Sequence, residues 1–431
     1  MITRLEAYGY RCFPHLSVDV DRYQVLAGTN GAGKTTLLDL PVLLGDLQRQ
    51  RRVADAFLQR QESVAAPRAR TLGELLHRGR GDAMMFAVEA RLTPGLINTL
   101  AERSTAARAG RALTHLRYEL RLELVNDELE VGAEYLFLFS EHGRRPEPGV
   151  PLQGEPRGHS RVLQSKEWQL VIRRTLGDPT TFLPETTTRS SRIPPFQVPP
   201  GQLALAAAPA DYGLFPVTLW FASLLREGAV FLDPDWAALS QAAPPGDPLQ
   251  VLPSARNTPW LALELQERDP GRFAFWVDHV RTALPQVAGI TAVEREEDHY
   301  AYLRVRYAGG YEVTSSGLSE GTLRILALTL LPYLPPKALP ALLVTEEPEN
   351  GIHPRAIETV VQSLASIAGT QVWVSTHSPI VLADTRLDDV LVARVDGKGA
   401  VTVVPGPRHP RLKEWRGGTD LGALFAAGVL S

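Results

Sequence analysis

Apolar-rich runs occupy residues 23–27, 341–345 and 371–376. Continuous runs of this length are typical of strands that are buried on both faces of a parallel sheet. Residues 84–92 and 115–125 instead alternate apolar and polar positions, which predicts strands of an antiparallel sheet with one face on a core. The pattern therefore indicates an α/β protein with an attached antiparallel sheet.

Helical patterns lie between these runs. Residues 215–226 and 323–331 have the apolar spacing of helices that pack on a core. Residues 49–80 also look helical and are rich in arginine. Residues 141–201 are dense in proline, glycine and arginine, and residues 244–253 are rich in proline, so we expect loops in both places.

Two helix starts and one hairpin are marked by individual residues. Asp269 precedes Pro270 as an N-cap precedes a proline at the first helical position. In the same way, Thr258 is expected to cap a helix that begins at Pro259. We expect Pro285 to end the helix that Asp269 begins. Gly309-Gly310 predicts a hairpin turn after an alternating strand at residues 301–307.

The first apolar run leads into Gly28-Thr29-Asn30-Gly31-Ala32-Gly33-Lys34-Thr35, and a helical pattern follows. A strand, a glycine-rich loop and a helix in this order bind phosphate, because backbone N–H groups and the positive end of the helix dipole face the anion. We expect the lysine to contact the outer phosphates and the threonine hydroxyl to bind Mg²⁺. The candidate nucleotide-binding residues here are Gly28, Asn30, Gly31, Gly33, Lys34, Thr35 and Thr36.

Two carboxylates, Glu346 and Glu347, follow the second apolar run. Ligand sites in open α/β sheets lie at the C-terminal ends of the strands. Glu346 is expected to direct Mg²⁺ together with Thr35, and Glu347 to polarise an attacking water as a general base.

A second anion site is predicted at residues 316–322, where serines and glycines precede a helix. One nucleotide does not need two such sites from one chain, so we expect Ser319 and Gly321 to contact the γ-phosphate bound by a second copy. His377 follows the third apolar run and is expected to sense that phosphate.

Several segments together resemble a known family. Residues 318–324 (LSEGTLR), 346–354 (EEPENGIHP) and 376–379 (THSP) are similar to the LSDGTLR, EEPENGIHP and THSP motifs of compact prokaryotic ATPases. These belong to the ABC-type ATPases of the RecF, SMC and OLD branch. The likeness extends to the start of the chain, residues 2–13, and to its end, residues 421–428.

The resemblance implies an ABC-type P-loop ATPase head with a mixed central sheet, an attached antiparallel sheet and a mainly helical and loop insertion. It implies that two copies close head to head on two ATP molecules with Mg²⁺. The expected parts are an N-terminal lobe at residues 1–140, the insertion at 141–300 and a C-terminal lobe at 301–431.

The resemblance also implies residue roles. Glu347 is the expected catalytic base and His377 the switch histidine. Glu349, Asn350 and Gly351 are expected to cross to the partner, and Arg11 to approach the nucleotide. Two departures from the family pattern concern the metal: Glu346 replaces the commoner aspartate, and no glutamine with a strand context completes the magnesium shell. The glutamines considered are Gln48, Gln50, Gln59 and Gln61.

Composition sets further bounds. The chain has 431 residues, of which 44% are apolar, enough for one or two domains. Its single cysteine, Cys12, excludes disulfides within the chain and Cys-x-x-Cys zinc sites, and fits a reducing cytoplasm. The sequence has no secretory signal and no apolar run of about 20 residues, so we expect a cytoplasmic protein that does not span a membrane. The insertion lacks sustained heptads, which excludes long SMC-type arms.

The sequence leaves the biological task open. The net charge of −3 gives no global attraction to nucleic acid, although residues 49–121 hold fourteen arginines against seven acidic residues, so contact with DNA stays open. One hypothesis is an ATP-driven sensor or clamp in prokaryotic defence whose effector, such as a nuclease, is a separate chain. The alternatives are a RecF- or SMC-like ATPase of DNA repair or chromosome maintenance, and a scaffold that scarcely hydrolyses ATP.

Overall fold

The structure is a computed structural model. It describes residues 1–64, 66–103, 112–141, 168–186, 193–397, 399–412 and 420–429. Its strands are β1 (Ile2–Tyr10), β2 (Phe13–Asp19), β3 (Tyr23–Gly28), β4 (Ala83–Arg91), β5 (His115–Val125), β6 (Glu128–Phe139), β7 (Trp168–Thr175), β8 (Thr181–Phe182), β9 (Ala229–Leu232), β10 (Val287–Glu294), β11 (Ala301–Tyr307), β12 (Glu312–Thr314), β13 (Leu342–Glu346), β14 (Gln371–Thr376), β15 (Val390–Val395) and β16 (Val401–Pro405).

The helices include those predicted to start near residues 35, 215, 259, 270 and 323, each within three residues, together with others that the sequence did not predict. They are α1 (Lys34–Arg49), α2 (Asp55–Leu58), α3 (Pro94–Arg103), α4 (Pro216–Arg226), α5 (Trp236–Ser240), α6 (Thr258–Arg268), α7 (Pro270–Ala283), α8 (Glu320–Leu330), α9 (Pro354–Ser366), α10 (Pro379–Ala383) and α11 (Leu421–Ala426). Asp269 caps α7 as predicted, because its carboxylate accepts a hydrogen bond from Arg272 N at 2.9 Å. Among the described residues, no helix is both long enough and apolar enough to cross a membrane.

The central sheet has the strand order β16-β15-β3-β14-β13-β9. Its neighbouring strands are parallel except for the β15–β16 pair. The three apolar runs of the sequence are β3, β13 and β14, and the C-terminal ends of these strands lie side by side. The residues that follow the three strands are therefore brought to one edge of the sheet.

Helix α1 is buried along most of its length and lies against this sheet and α4. Gly45 permits the close contact with α4, since a Cβ atom there would lie 2.2 Å from Leu225 O. The glycine therefore lets α1 pack closely on α4 without displacing the backbone of either helix.

The second sheet is antiparallel, in the order β2-β1-β4-β5-β6-β7-β8. The alternating segments of the sequence are β4 and β5, and they pair with each other as predicted. The fold class is confirmed in its architecture: a mixed α/β fold with a central, mainly parallel sheet and an attached antiparallel sheet. Residues 141–300 supply α4–α7 as well as strands of all three sheets, including β7–β8 and β9. The division into three parts remains a prediction.

The third sheet, β10-β11-β12, carries the predicted hairpin. Gly310 has φ +80°, which a glycine adopts without strain in the tight turn between β11 and β12. One face of the sheet packs on α6. The chain then runs through a short 3₁₀ turn, Ser315–Gly317, to the start of α8, where the second anion site was predicted.

Three local predictions are wrong in whole or in part. Residues 141–201 were expected to be loops, but the described part of this segment contains strands β7 and β8. Residues 49–80 are mostly irregular: α1 ends at Arg49, and only α2 and two 3₁₀ turns at residues 72–75 and 77–79 follow in the described part of this segment. One arginine of this segment has a structural role, because the Arg68 guanidinium is buried against Asp39 and Asp46 of α1. Thr258 is the first residue of α6 and not its cap, since its hydroxyl donates to Ala255 O.

Candidate nucleotide-binding site

The loop between β3 and α1 has the backbone of an anion cradle. Gly31 and Gly33 have φ of +75° and +76°, which glycine adopts readily. A Cβ atom on Gly33 would lie 2.6 Å from Cys12 Sγ, so the position is also sterically closed to larger residues. Helix α1 begins at Lys34, and its first N–H groups point to the same place. These features fit a bound phosphate group.

Lys34 is held by three acceptors at once. Its Nζ atom donates to Gly28 O at 3.0 Å and to Thr29 O at 3.1 Å. The third partner is His377 Nε2, at 2.8 Å. Burial lowers the pKa of the Lys34 ammonium, and the negative charges of Glu347 and Glu346 act in the opposite direction. The lysine is therefore a cation that lies at the end of three parallel strands.

Thr35 and Glu346 contact each other directly, as the predicted metal site requires. The Thr35 hydroxyl donates to Glu346 Oε1. Burial raises the pKa of the Glu346 carboxyl, and the neighbouring negative charge of Glu347 adds to this. In the described part of the chain, no three His, Cys, Asp or Glu side chains form a metal cluster by themselves. A hydroxyl and a carboxylate suit Mg²⁺, which usually takes its other ligands from phosphate and water.

Glu347 has an unusual backbone, with φ +42°. A non-glycine residue in this region carries strain of about 1–3 kcal/mol, and such residues cluster at functional sites. Two hydrogen bonds fix the conformation: Glu347 N donates to Ser375 O at 2.9 Å, and Asn350 Nδ2 donates to Oε2 at 2.6 Å. His377 Nε2 lies 3.1 Å from Oε1. The carboxylate of the expected base is thus held in one orientation.

His377 is neutral in this arrangement. Burial, together with the positive charge of Lys34, lowers the pKa of its imidazole. Because Lys34 donates to Nε2, we assign the ring proton to Nδ1. The histidine therefore receives a hydrogen bond from the lysine and cannot donate one from Nε2 to Glu347.

These groups surround a cleft of about 860 Å³. The sequence-predicted residues that line it are Arg11, Asn30, Gly31, Gly33, Lys34, Thr35, Thr36, Glu346, Glu347 and His377. Gly28 lies beneath the cleft and contributes its carbonyl to Lys34. Apart from Gly28, the cleft brings together the predicted residues of the phosphate loop and the two glutamates and histidine that follow β13 and β14.

A further wall of the cleft was not predicted. It consists of Cys12, Thr71, Gly73, Glu74, Leu76, Arg78 and Gly79. Arg11 connects this wall to β1: its N–H donates to Leu75 O at 2.8 Å, His77 Nδ1 donates to its carbonyl at 2.8 Å, and its guanidinium donates to Arg68 O. No pattern in residues 68–79 signals this role, because only tertiary contacts bring the segment to the phosphate loop.

Besides Gly28, the predicted residues Ser319, Gly321 and Asn350 do not line the cleft. Ser319 caps α8, with its Oγ atom 3.3 Å from Thr322 N, and its side chain is exposed. Gly321 packs on the loop after Glu347, since a Cβ atom there would lie 2.5 Å from Gly351 O. Asn350 reaches the cleft only through its bond to Glu347. Gln48, Gln50, Gln59 and Gln61 do not line the cleft either.

Asp233 is a further carboxylate at the edge that holds Glu346. Strand β9 is parallel to β13, and its last residue, Leu232, lies opposite Thr345. Asp233 comes directly after β9 and is therefore next to Glu346. Its negative charge is one of the causes that raise the pKa of the Glu346 carboxyl. The sequence does carry a signal, because the apolar run 229–232 followed by Asp-Pro resembles the run 341–345 followed by two glutamates and a proline.

The comparisons with known proteins agree with this geometry. Residues 147–383, more than half of the chain, match the model of the family described as "AAA domain, putative AbiEii toxin, Type IV TA system". The chain belongs to this family. The matched part contains the α8 turn, both glutamates after β13 and His377, whereas the phosphate loop precedes it. The family and the fold are those of a nucleotide-binding ATPase.

Solved structures that are similar to this AAA-family chain include three SMC heads. The SMC head bound to the C-winged helix domain of ScpA has 12% identity, with 94% of this chain and 96% of that chain covered and a TM-score of 0.49. An SMC head with an extended coiled coil bound to the C-terminal domain of ScpA, from Pyrococcus furiosus, has 10% identity, coverage of 94% and 95%, and a TM-score of 0.47. The SMC head from Thermotoga maritima has 11% identity, coverage of 94% and 98%, and a TM-score of 0.41. No curated protein matches the sequence.

Proposed function

We propose that this AAA-family protein binds ATP with Mg²⁺ and hydrolyses it slowly between two copies that associate head to head. The observation that carries the proposal is the convergence of Lys34, Thr35, Glu346, Glu347 and His377 on one cleft. A lysine and helix N–H groups suit a triphosphate, a hydroxyl beside a carboxylate suits Mg²⁺, and a fixed second carboxylate suits a general base.

Each residue has a defined task in this proposal. Lys34 exchanges its two carbonyl acceptors and His377 for phosphate oxygens. Thr35 and Glu346 hold the cation; when bound, Mg²⁺ supplies positive charge to the phosphate oxygens. Glu347 accepts the proton of the attacking water, while Asn350 keeps the carboxylate in place. Once Lys34 has moved, Nε2 of His377 is free to bind a proton and to contact the γ-phosphate.

The second copy is expected to complete the site from the α8 turn. Ser319 is exposed and lies outside the cleft of its own chain, yet it stands at the N-terminus of an eleven-residue helix. A serine hydroxyl and helix N–H groups suit the γ-phosphate bound by a partner. The contact of Gly321 with Gly351 places this turn against the loop that leaves Glu347. Closure of two copies would therefore act on the catalytic base.

For the biological role we favour an ATP-driven sensor or clamp in prokaryotic defence with a separate effector, such as a nuclease. The description of the family, which names a toxin–antitoxin system, supports a defence role. A RecF- or SMC-like role in DNA repair or chromosome maintenance is the alternative, with DNA as the partner. An adjacent nuclease or toxin gene would favour the sensor, and salt-dependent DNA binding would favour the alternative. A scaffold that scarcely hydrolyses ATP would show no measurable turnover.

The central experiment uses Glu347→Gln in the full chain, with ATP and Mg²⁺, and measures mass by light scattering. Loss of the base with retention of binding is expected to trap a closed dimer. Lys34→Ala should fail to dimerise and should bind ATP about 10- to 100-fold more weakly, because a charged donor is removed. Glu358→Gln, an exposed change on α9, is the control and should behave as wild type. A Glu347→Gln protein that binds ATP but stays monomeric would rule out the head-to-head arrangement.

A further inference from the structure

Glu349 is buried inside its own subunit. Only 7% of its surface is exposed, although it lies in the turn that follows Glu347. Its Oε1 atom accepts hydrogen bonds from the Thr376 hydroxyl and from His377 N, the latter at 3.4 Å. The carboxylate therefore faces the end of β14. The resemblance to the ABC-type family implied instead that this residue crosses to the partner.

The bonds of Glu349 join two segments that the reaction needs. The loop after β13 carries Glu347, and the end of β14 carries His377. Thr376 is fully buried and lies opposite Ala27 of β3, and its hydroxyl oxygen also accepts a hydrogen bond from Ser378 N at 2.9 Å. Glu349 thus connects the loop that carries Glu347 to Thr376 and His377, and through the Thr376 hydroxyl to Ser378.

The buried position of the Glu349 carboxylate is energetically unfavourable. Its Oε2 atom is buried and accepts no hydrogen bond from the described residues. An unsatisfied buried polar group is unfavourable. Burial raises the pKa of the Glu349 carboxyl. Oε1 accepts both hydrogen bonds, so it is the atom through which Glu349 connects the two segments.

We infer that Glu349 is a positioning residue: through Thr376 and the His377 backbone it sets where the His377 ring stands relative to Glu347. The present distances are 3.1 Å from His377 Nε2 to Glu347 Oε1 and 2.8 Å to Lys34 Nζ. Displacements of about 1 Å at such positions lower rates by about 100-fold. The inference rests on the proposed ATPase function, but it places the action of Glu349 within one chain.

The test compares Glu349→Ala with Glu349→Gln in the full chain. Alanine removes the acceptor, so kcat should fall by about 100-fold while KM for ATP stays nearly unchanged. Glutamine keeps an Oε1 acceptor and should restore most of the loss. In ¹⁵N NMR spectra without nucleotide, the ring nitrogens of His377 should shift in the alanine variant and return towards wild type in the glutamine variant.

Thr376→Val provides a second variant that keeps the shape of the side chain and removes only the hydroxyl. It should lower kcat in the same direction as Glu349→Ala, and the two changes together should cost less than the sum of each. Unaltered His377 signals in both single variants would overturn the inference even if wild type is an active ATPase. Failure of wild type itself to bind or hydrolyse ATP would instead remove the proposed function, which separates the two outcomes. A loss of ATP binding equal to the loss of kcat would show a merely structural role.

Discussion

Lys34 Nζ lies 2.8 Å from His377 Nε2, so the lysine of the phosphate loop and the histidine after β14 share a hydrogen bond. The two residues are brought together because β3 and β14 are neighbours in the sheet. The positive charge of Lys34 disfavours a second proton on the ring and, with burial, lowers the pKa of His377. Occupation of the phosphate loop and protonation of His377 are therefore linked.

The first prediction concerns this pKa. In Lys34→Met the positive charge is lost while Glu347 remains, so the pKa of His377 should rise towards its ordinary value of about 6.5. A non-hydrolysable ATP analogue should act in the same direction in wild type, because phosphate draws Lys34 away. Titration of the His377 ring signals by NMR measures both effects. Lys337→Met removes a lysine that is mostly exposed and should leave the titration unchanged; an identical pKa in Lys34→Met would contradict the link.

Much of this site was predictable because its parts follow local patterns. Glu346, Glu347 and His377 each follow an apolar run, and a parallel sheet brings the ends of such runs to one edge. The glycines around Lys34 signal the phosphate loop by themselves. Local apolar spacing and turn chemistry therefore define the half of the cleft that contains Lys34, Glu346, Glu347 and His377.

The remaining half depends on tertiary contacts that leave no local pattern. The wall at residues 71–79 is placed by Arg68, whose partners Asp39 and Asp46 lie on α1, more than twenty residues earlier. Asp233 follows an apolar run of its own, but its place beside Glu346 depends on the pairing of β9 with β13. The inward orientation of Glu349 follows from contacts with Thr376 across two strand ends. Sequence spacing gives none of these pairings.

The second prediction tests the placement of the wall. Arg68→Met removes the cation between two carboxylates that are almost fully buried, which should lower the free energy of unfolding by about 3–5 kcal/mol. Denaturant titration measures the loss. Arg49→Met is the matched control, since Arg49 pairs with the same Asp46 but is 42% exposed; it should cost at most about 1 kcal/mol. Equal losses in the two variants would mean that burial of the pair does not matter.

The third prediction is a pH dependence at the start of α4. Glu185 is fully buried, and its carboxylate accepts hydrogen bonds from Val217 N and Thr218 N at 2.6 and 2.7 Å. Burial raises the pKa of this carboxyl to about 7. The folded protein therefore holds the proton at pH values where the unfolded chain has lost it. The contribution of Glu185 to stability should be greatest below about pH 4.5 and should fall as the pH rises towards 7.

Comparison with Glu185→Gln isolates this contribution from other titrating groups. The free energy of unfolding of wild type minus that of the variant should decrease between about pH 4.5 and 7 and then level off. Chemical denaturation at a series of pH values measures it. Glu227→Gln, an exposed change just after the C-terminus of α4, should give a much flatter difference. A difference for Glu185→Gln that does not vary with pH would refute the predicted titration.

The fourth prediction concerns Gly321, the second residue of α8. An alanine Cβ atom would lie 2.5 Å from the backbone oxygen of Gly351, so either the α8 turn or the loop after Glu347 must move. Both belong to the surfaces that we expect to meet in the ATP-bound dimer. Gly321→Ala should therefore weaken dimer formation with ATP and lower kcat, while ATP binding to the single subunit persists. Analytical ultracentrifugation and nucleotide titration distinguish these effects.

Gly271→Ala is the matched control for this change. Gly271 is also the second residue of a helix, α7, and a Cβ atom there would make only an ordinary contact, 3.7 Å from Asp269 Oδ1. Replacing a helical glycine with alanine where the space and backbone permit it stabilises a protein by about 0.4–1 kcal/mol. Gly271→Ala should thus keep full dimerisation and activity. If Gly321→Ala also dimerises and turns over normally, the contact between the α8 turn and Gly351 has no part in closure, and the two surfaces move independently.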